Sequence, residues 1–568
     1  MAHNLLELAH LMQAELLQAR EIGANFTFAS PQFDSRFVNK DDIFFAIKGL
    51  EADGHDYLEK AANKGALAVF VTYWPANLNL ATFPAYVFKV DNTRKALAIS
   101  ANYFYDEPSA NLQLVGITAS NGKTSTSLMY KSIVKAAGFN CGLIGTVSYE
   151  TAKREEMSHL TTPDAVKLQS LLAEMRDNNY EKAVMECSSI GLDQYRNYAV
   201  KYKAVAFNNI SREHLDYHGS FVAYLEAKLK LITECADSKT KVILNLDDAA
   251  IYAKRELAKG PIIGFADAKN WPDSKLNSLA AKDCPQVLAA QIDLSKGTAN
   301  FNLVVKREIL GQADNAAEAF VVKPVKLQVP GYHSVMNALS AASLALAVGF
   351  SLDEIVRGLE AYTGIERRFQ RILAPGTIPA NSPWQKYIDY QIYDDHFANP
   401  GNICFSLNSL CQMDYRKLHI VYAIRGKRGV TVNSENIYTL KDYLPKLRLA
   451  NFIATTSKDV VGHYDTVTDE ELAAFQAAMH DIGQDYTLYP ELTQALEVAL
   501  TKVEANDVIL LAGCQGMDAG ARLCLEAICA KHPELDASVI MAVVKDRICG
   551  HSDEATNKDK LFAGASKA

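Results

Sequence analysis

The chain lacks any run of about eighteen apolar residues, the length that a membrane-spanning helix needs. It also lacks a Cys-x-x-Cys pair, because its 10 cysteines are scattered over 568 residues. Scattered thiols in a long chain are typical of reduced, mostly buried cysteines in a cytosolic protein. The segment from Met1 to Arg20 is amphipathic and has no basic start followed by an apolar core, so we expect no signal peptide. These absences predict a cytoplasmic protein that neither spans nor binds a membrane.

Positive charge is scarcer than negative charge: 58 lysines and arginines accompany 66 acidic residues, which gives a formal net charge of -8. This balance argues against nucleic acid or an anionic membrane as the main partner. No Gly-x-Ser-x-Gly sequence surrounds Ser188, which argues against a serine hydrolase. A composition of 22% charged and 49% hydrophobic residues is typical of a globular protein. The length exceeds what one hydrophobic core accommodates, so we expect about three domains.

A phosphate-binding loop is the most informative feature that the sequence does contain. The run Gly116–Ser125 reads Gly-Ile-Thr-Ala-Ser-Asn-Gly-Lys-Thr-Ser, follows an apolar stretch and precedes a helical segment. A strand, a tight turn and a helix start place backbone N–H groups around a phosphate, with Lys123 reaching the outer phosphates and Thr124 able to hold Mg²⁺. The loop is a variant, because Ile117 stands where the strict pattern has glycine. The motif alone therefore indicates binding of a nucleotide phosphate.

Apolar runs that end in polar residues recur along the chain and predict an α/β fold. Helical stretches separate them, as in a parallel sheet covered by helices, where ligands gather at the carboxyl ends of the strands. The predicted strands are Leu112–Thr118, Ala183–Ser189, Ala204–Asn209 and Val242–Asp247 in the middle of the chain, and Lys386–Tyr390, His419–Ala423, Asn451–Thr456 and Asp507–Gly513 in its last third.

This organisation predicts three domains and a tail. Residues 1–108 alternate short apolar runs with helical segments and carry no phosphate loop, residues 109–365 contain the loop, and residues 366–546 repeat the pattern of strands and helices. Residues 547–568 are polar and small, which is typical of a mobile tail.

Three further positions could carry chemistry. Glu186 ends an apolar run, and a carboxylate at the end of a central strand can hold a metal opposite a phosphate loop, although it could also cap the next helix. Histidine, aspartate and histidine alternate from His214 onward, as in a zinc site, but a phosphate loop favours Mg²⁺ or Mn²⁺. A polar surface turn explains the His214 segment equally well. Lys228 lies in a predicted helix, where a lysine is usually solvated.

Taken together, these segments resemble the Mur ligases, the ATP-dependent ligases that build the peptide stem of the bacterial cell wall. Within that family the resemblance is greatest to enzymes that add the third residue to UDP-N-acetylmuramoyl-dipeptide. The matching segments, in chain order, are Asp34-Ser35-Arg36, Asp53-Gly54-His55-Asp56, Asn121-Gly122-Lys123-Thr124, Thr161-Thr162-Pro163-Asp164, Met185-Glu186-Cys187-Ser188-Ser189, Ser211–Gly219, Ala227-Lys228 and Asn337-Ala338-Leu339.

The resemblance implies a three-domain Mur ligase architecture with a central P-loop-type parallel sheet and a Rossmann-like C-terminal domain. Residues 1–108 would bind the UDP end of the substrate, residues 109–365 ATP, and residues 366–546 the amino acid. The implied reaction joins the carboxylate of a UDP-N-acetylmuramoyl-peptide to a free amino acid through an acyl phosphate, in the synthesis of peptidoglycan precursors. The implied cofactors are ATP, two Mg²⁺ ions and a carbamylated lysine, and the implied state is a monomer.

The resemblance also assigns roles to individual residues. The substrate would contact Ser35, Asp53, His55, Thr161, Thr162, Ser188 and Arg196. The nucleotide would contact Asn121, Gly122, Lys123, Thr124, Ser125, Asn337, Arg368 and Asp389. The metal ions would lie among Thr124, Glu186, His214 and carbamylated Lys228, and the catalytic residues would be Lys123, Glu186, His214 and Lys228.

The chain departs from the family most clearly in its last third. The family sequence Asp-Tyr-Ala-His appears as Asp389–Ile392 without the histidine, and Gly-Lys-Gly-His-Glu is replaced by Gly513–Asp518. The Asp-Asn-Pro-Arg signature of enzymes that add meso-diaminopimelate is absent, and its place is taken by Ser457–Val461. An arginine fork is the natural partner of a distal carboxylate, and Val461 cannot provide one. We therefore do not expect meso-diaminopimelate, while lysine or another amino acid stays open.

Smaller departures are Ala119 for a loop glycine, Ile190 for a histidine and Ser334 for an asparagine. Two other functions stay open at this point. The chain could ligate an amino acid to a different carboxylate acceptor, or it could be a degenerate homologue that binds a nucleotide or a UDP-peptide without turnover. The matches at Asp34–Arg36 and Asp53–Asp56 favour a UDP-sugar substrate. A degenerate protein would not need to keep all of Lys123, Thr124, Glu186, His214 and Lys228.

Overall fold

The computed structural model describes residues 3–18, 21–23, 26–49, 52–153, 155–276, 279, 283–311, 319–375, 388–545 and 547. These residues form two compact units. The first contains Met1–Gln291, Phe301–Val325 and Val335–Ala361, and the second contains Ile292–Asn300, Lys326–Ser334 and Tyr362–Ala568. Apart from Arg547, the predicted tail 547–568 lies outside the described residues.

The first unit begins with a small sheet built from short apolar strands. Its elements are β1 His3–Asn4, α1 Leu5–Leu11, β2 Glu15–Leu16, β3 Thr27–Phe28, β4 Pro31–Gln32, β5 Ile43–Phe45, α2 Leu58–Asn63, β6 Ala68–Val71, β7 Tyr86–Lys89 and α3 Thr93–Phe104. The sheet has five strands in the order β2-β7-β6-β5-β4, with β4 to β7 parallel and β2 antiparallel at one edge, while β1 and β3 form a separate antiparallel pair. Phe70 stacks between Phe45 and Phe88 of the two flanking strands, which fixes their register in the core.

A larger sheet follows, and most of it belongs to the same unit. Its strands are β8 Gln113–Thr118, β9 Cys141–Ile144, β10 Ser148–Glu150, β11 Glu155–Met157, β12 Lys182–Glu186, β13 Ala204–Phe207, β14 Lys241–Asn245, β15 Ile262–Asp267, β16 Val287–Asp293, β17 Asn300–Lys306 and β18 Phe320–Lys326. Its helices are α4 Lys123–Ala136, α5 Ala165–Asp177, α6 Ser189–Asp193, α7 Leu215–His218, α8 Phe221–Thr233, α9 Ala249–Lys254, α10 Asp273–Leu276, α11 Tyr332–Ala347 and α12 Leu352–Ala361.

The strand order of this sheet places the predicted active-site residues at the carboxyl ends of its central strands. The order is β11-β10-β9-β12-β8-β13-β14-β15-β16-β17-β18, and the run from β9 to β16 is parallel. The central strands β8, β12 and β13 are buried along almost their whole length, as expected for a sheet with helices on both faces. Because β12 and β13 flank β8, their carboxyl ends lie beside the phosphate loop. The α/β prediction is confirmed.

The two sheets of the first unit pack together through α3 and α5. Ala165, the first residue of α5, belongs to the same buried apolar cluster as Leu97 and Ala101 of α3. Near the end of α5, Arg176 Nη1 donates a hydrogen bond to the carbonyl oxygen of Tyr105 at 2.7 Å. The unit is therefore continuous across residue 108, and the division into an N-terminal and a central domain there stays a prediction.

The second unit contains a further sheet with apolar clusters on both faces. Its elements are β19 Gln370–Leu373, β20 Gln391–Asp395, α13 Pro400–Gln412, β21 Leu418–Ala423, α14 Val430–Leu440, β22 Leu449–Thr455, α15 Asp469–Asp481, β23 Thr487–Tyr489, α16 Leu492–Lys502, β24 Val508–Gly513, α17 Gly520–Lys531 and α18 Ala537–Met541. The order is β19-β20-β24-β21-β22-β23, with all neighbours parallel except the pair β19 and β20.

One predicted strand of this unit is displaced. The sequence predicted a strand at Lys386–Tyr390, whose first two residues lie outside the described part of the chain, whereas the strand β20 begins at Gln391. Apolar residues continue through Ile392 and Tyr393, so the pattern did not fix the register. The strand pairs with β24 from Gln391 to Asp395. This pairing buries Ile392 and Tyr393 and places Asp394 and Asp395 at the carboxyl end of the strand.

None of the helices in the described part of the chain combines the length and the apolar character needed to cross a bilayer.

Candidate active site

The loop between β8 and α4 is a tight turn whose shape depends on Gly122. This residue has φ of +87°, in the left-handed region that favours glycine. A Cβ atom at Gly122 would also collide with Oδ1 of Asn337 in α11. Asn337 is therefore held directly against the loop, where its Oδ1 also accepts a hydrogen bond from Thr126 Oγ1 at 3.4 Å. Two residues predicted to contact the nucleotide thus lie side by side.

Two lysines converge on a single carbonyl oxygen of this loop. Lys123 Nζ donates a hydrogen bond to the oxygen of Ala119 at 2.8 Å, and Lys228 Nζ, from α8, donates to the same atom at 2.7 Å. Burial lowers the pKa of Lys123, and burial together with repulsion by Lys123 lowers the pKa of Lys228 well below its ordinary value. Only 1% of Lys228 is exposed. Its amine is thereby biased toward the neutral, nucleophilic form.

Glu186 lies opposite the first turn of α4, at the end of the neighbouring strand β12. Its Oε2 accepts hydrogen bonds from Thr124 Oγ1 at 3.1 Å and from Thr146 Oγ1 at 2.8 Å, and its Oε1 accepts one from the Thr146 backbone N–H at 3.1 Å. The carboxylate is 1% exposed. A threonine hydroxyl and a carboxylate in direct contact form the oxygen-rich donor set that Mg²⁺ prefers. Thr146 was missed by the sequence reasoning, because no motif surrounds it.

The residues predicted to hold the peptide substrate form one hydrogen-bonded path beside Glu186. Thr162 Oγ1 donates to the carbonyl oxygen of Glu186 at 2.8 Å and accepts from the Ser188 N–H at 2.9 Å. Arg196 Nη1 donates to the carbonyl oxygen of Thr162 at 2.7 Å. Thr161 Oγ1 lies 3.1 Å from Thr146 Oγ1. The structure therefore brings Thr161, Thr162, Ser188 and Arg196 to the same edge of the sheet as Glu186.

His214 lies at the margin of this group. It is exposed, has φ of +53° and precedes the short helix α7. Its ring centroid is 6.1 Å from that of Tyr224, and Lys228 Nζ lies 4.8 Å from the centroid of the same tyrosine ring. Across the described ranges, no group of three or more histidine, cysteine, aspartate and glutamate side chains is placed to hold a metal ion. A metal here would depend on Thr124, Glu186 and a modified Lys228 as well as on phosphate and water oxygens.

The predicted uridine-binding turn is shaped by its own side chains. Asp53 Oδ1 lies 2.6 Å from His55 Nδ1 and 3.0 Å from the His55 backbone N–H, and Tyr73 Oη donates to Asp53 Oδ2 at 2.9 Å. His55 Nε2 accepts from the Thr72 N–H, so Nδ1 carries the proton that Asp53 accepts. Burial opposes ionisation of Asp53, but these hydrogen bonds outweigh it and lower the pKa of the carboxyl. Ser35 is buried in another turn of this part of the unit.

Two family models match the chain. The Mur ligase middle domain matches residues 117–345, and the model described as Mur ligase family, catalytic domain, matches residues 31–105. The chain belongs to the Mur ligase family. The phosphate loop, Glu186, Lys228 and Asn337 all lie within the first match, and the turns at Ser35 and Asp53 lie within the second.

Curated Mur ligases are similar over most of the chain. The UDP-N-acetylmuramoyl-L-alanyl-D-glutamate--2,6-diaminopimelate ligase of Clostridium tetani is 28% identical over 485 residues, which are 85% of this chain and 88% of that enzyme. The enzyme of the same name from Bacillus licheniformis is 29% identical over 491 residues, covering 85% and 89%. A solved structure of a ligase of this name has a TM-score of 0.67 at 21% identity and covers 94% of this chain and 100% of the other, which shows a shared fold.

Within the Mur ligase fold, the displaced strand changes where one predicted nucleotide contact, Asp389, stands relative to its sheet. Asp389 precedes β20 and so lies at the amino end of the parallel strands, whereas ligands of such sheets gather at the carboxyl ends. Asp395 occupies the carboxyl end of β20, accepts hydrogen bonds from the Phe369 N–H at 3.0 Å and from Ser406 Oγ, and has a pKa raised to about 6 by burial. The nucleotide contact of Asp389 stays a prediction.

The neighbouring arginines have different environments. Arg368, the predicted nucleotide contact, is exposed, and its Nη1 donates to Asn402 Oδ1 at 3.3 Å. Arg367 is buried and donates hydrogen bonds to the carbonyl oxygens of Gly513 and Cys514 and to Asp518. Arg367 therefore holds in place the loop that replaces Gly-Lys-Gly-His-Glu of the family.

Removal of the Thr162 hydroxyl is expected to destabilise the first unit. In Thr162→Val, the carbonyl oxygen of Glu186 and the N–H of Ser188 lose a buried partner, which lowers the free energy of unfolding by about 2 kcal/mol. Thr162→Ser keeps the hydroxyl and serves as the matched control. Urea unfolding should show a lower midpoint for the valine variant at an unchanged slope. Equal midpoints for both variants would contradict the assignment of these hydrogen bonds.

Proposed function

We propose that the protein is an ATP-dependent ligase that forms an amide bond between a UDP-N-acetylmuramoyl-peptide carboxylate and an amino acid, as a step in peptidoglycan precursor synthesis. The observation that carries this proposal is the convergence of Lys123, Lys228, Thr124 and Glu186 at one edge of the central sheet. Two lysine amines lie on one side of the phosphate loop, and a carboxylate with threonine hydroxyls lies on the other. The names of the curated relatives support the choice of substrate.

The proposed reaction must bring two anions together. A substrate carboxylate attacks the γ-phosphorus of ATP, the bond to ADP breaks, and an acyl phosphate forms; the amine of the incoming amino acid then displaces phosphate and gives up a proton. Lys123 lowers the repulsion of the first step by its charge at the loop. Arg196 and Thr162 orient the peptide end next to Glu186. Residues 1–108 would bind the uridine end, and residues 366–546 the amino acid.

The donor set fits the metal ions that the family implies. Thr124, Glu186 and His214 would hold Mg²⁺, which supplies charge neutralisation at the phosphates. Lys228 fits the implied carbamate, because a neutral buried amine can add to carbon dioxide and release one proton. The negative charge of a carbamate would also replace the repulsion between Lys123 and Lys228 by attraction.

The incoming amino acid is proposed to differ from the diaminopimelate in the names of the relatives. In the segment that replaces the family signature, Asp459 accepts hydrogen bonds from the N–H groups of Leu492 and Thr493 at the start of α16, at 2.7 and 3.0 Å. Val461 offers no charge. The segment thus serves to cap a helix and supplies no arginine for a distal carboxylate.

Phosphate release provides the test. The enzyme is incubated with ATP, Mg²⁺, UDP-N-acetylmuramoyl-L-alanyl-D-glutamate and one amino acid at a time, with meso-diaminopimelate and lysine among them. We expect release that requires both the UDP-peptide and an amino acid other than meso-diaminopimelate. Phosphate release that occurs with meso-diaminopimelate and with no other amino acid would overturn the amino-acid assignment. Release only with a different acceptor, or binding without release, would overturn the proposed reaction.

A further inference from the structure

Four charged side chains lie together near the carboxyl end of β20 in the second unit. Asp394 of β20, Arg367 and Arg547 are all buried. Asp394 Oδ2 accepts a hydrogen bond from Arg547 Nη1 at 2.6 Å, and Asp394 Oδ1 lies 3.5 Å from Arg367 Nε. Arg367 also forms an ion pair with Asp518. Two arginines and two aspartates balance in charge, which is needed because an unpaired ion is costly away from water.

This cluster holds the segment Gly513–Asp518, which we call the β24 loop. Arg367 Nη1 donates hydrogen bonds to the carbonyl oxygen of Cys514 at 3.0 Å and to the Asp518 carboxylate, and its Nη2 donates to the carbonyl oxygen of Gly513. Both ends of the loop are therefore bound to one guanidinium group. Since arginine presents its donors in a rigid fork, a displacement of Arg367 would displace the loop as well.

Arg547 is the second cationic partner of Asp394, and it follows the short helix α18. Its Nη2 donates to Gln370 Oε1 in β19 at 2.5 Å, and its backbone N–H donates to the carbonyl oxygen of Val544 at 3.3 Å. Arg547 therefore connects the chain that follows α18 to β19 and β20. Each carboxylate oxygen of Asp394 faces a different arginine, so the position of one arginine limits that of the other.

Loss of the Arg547 charge would change the position of Arg367. Asp394 Oδ2 would lose the donor that it has in the buried cluster, and Arg367 would remain beside the carboxylate. The 3.5 Å between Arg367 Nε and Asp394 Oδ1 exceeds the usual length of a hydrogen bond by roughly 0.6 Å, so a small shift would close it. That shift would draw the Nη donors away from the carbonyl oxygens of Gly513 and Cys514. Arg547 therefore keeps Arg367 on the β24 loop.

The β24 loop is placed to contact a ligand. Strand β24 lies between β20 and β21, and the loop follows its carboxyl end, where ligands of parallel sheets gather. Gln515 in this loop has its Oε1 atom buried without a hydrogen-bond donor among the residues that the structure describes. A buried acceptor of this kind is rare unless a ligand or water supplies the donor. An N–H group of an amino acid can supply it.

We propose that Arg547 is a positioning residue for the incoming amino acid. Through Asp394 and Arg367 it sets the conformation of the β24 loop, whose Gln515 accepts a hydrogen bond from that amino acid. This inference rests on the proposed function, in which residues 366–546 bind the amino acid, and it adds a residue that lies beyond them. No sequence motif marks Arg547, which stands at the start of the segment predicted to be a mobile tail.

The position of the loop can be measured through Cys514, whose buried Sγ donates to the carbonyl oxygen of His396 at 3.2 Å. The full-length protein is treated with N-ethylmaleimide, and mass spectrometry follows the modification of Cys514 and of Cys524, which is buried in α17. We expect Arg547→Gln to speed the modification of Cys514 about tenfold or more and to leave that of Cys524 within about twofold of wild type. Lys545→Gln is the matched control, since it removes the charge of a nearby exposed lysine and should leave both rates unchanged.

Phosphate release measures the role of Arg547 in binding. KM is determined for the UDP-peptide, for L-lysine and meso-diaminopimelate, and for any other amino acid that supports release. We expect Arg547→Gln to raise the KM for the active amino acid about tenfold, and to leave kcat and the KM for the UDP-peptide within about twofold of wild type. Arg547→Lys keeps a charge beside Asp394, so its KM for the amino acid and its Cys514 modification rate should lie closer to wild type than those of Arg547→Gln.

The other outcomes overturn the inference in distinguishable ways. Faster modification of Cys514 and Cys524 alike, or equal rises in KM for both substrates, would mean that Arg547 stabilises the unit as a whole. Faster modification of Cys514 with an unchanged KM for the amino acid would place the β24 loop outside the amino-acid site. Arg547→Lys that behaves as Arg547→Gln would show that the charge does not position the loop. Wild-type protein that releases phosphate with none of the amino acids would overturn the proposed function and the amino-acid role together, while the modification rates would still decide whether Arg547 positions the loop.

Discussion

Replacement of Lys228 by alanine is expected to lower turnover by on the order of a thousandfold, because the carbamate that would hold Mg²⁺ beside the phosphate loop can no longer form. The fold should persist, since among the residues that the structure describes the Lys228 amine donates hydrogen bonds to Ala119 and Thr118 alone. Steady-state phosphate release gives kcat, and circular dichroism reports the fold. If the residue acts as a carbamate, acetate or propionate at high concentration should restore part of the activity of the variant and leave wild type unaffected. Unchanged kcat in Lys228→Ala would contradict its placement in the site.

In its uncarbamylated form, the same residue predicts a pH dependence of stability. The pKa of Lys228 is depressed in the folded protein, so between that value and the unfolded value of about 10.4 the unfolded chain binds more protons than the folded chain. The contribution of Lys228 to the free energy of unfolding therefore rises with pH between these two pKa values and is smallest below the lower one. Lys228→Ala removes this rise, so the wild-type curve of unfolding free energy should be steeper toward alkaline pH. Parallel curves for the two proteins would indicate that the amine is not desolvated.

The phosphate loop and its surroundings could be predicted because their signals are local. Strand, glycine turn and lysine are adjacent in sequence, and Glu186 stands at the end of an apolar run that must be a central strand. Parallel pairing of β8 with β12 then brings Glu186 to Thr124 without further information. The contact between Asn337 and Gly122 is different, because more than two hundred residues separate the two positions. The family resemblance implied only that each residue contacts the nucleotide, and neither it nor the spacing predicted their contact with each other.

Other parts of the site depend on tertiary packing that the sequence pattern does not encode. Thr146 follows the short strand β9 in a loop without a motif, and only the neighbouring strand β12 gives it Glu186 as a partner. In the second unit, alternating apolar residues run on from Ile388 to Tyr393, so periodicity could not place the strand. The buried strand β24 decides the register, and Asp395 rather than Asp389 reaches the carboxyl end.

Substitution of Glu186 by glutamine is expected to remove most activity with little change in shape. The amide keeps one oxygen acceptor for the Thr124 or Thr146 hydroxyl, but it places an N–H₂ group against a donor and carries no charge for a divalent ion. We expect kcat to fall by on the order of 10²–10³, as for loss of a group that stabilises transition-state charge. The Mg²⁺ concentration needed for half-maximal phosphate release should rise as well.

Glu181→Gln is the matched control, since Glu181 is exposed and directly precedes the opposite end of the same strand, β12. It makes the same chemical change at a distance from the phosphate loop and should keep kcat and the Mg²⁺ dependence within about twofold of wild type. If Glu186→Gln lowers kcat without altering the Mg²⁺ requirement, the carboxylate orients Thr146 and Thr124 and does not bind the ion. If both variants retain activity, the contact between Glu186 and Thr124 is structural, and the reaction must proceed away from the carboxyl end of β12.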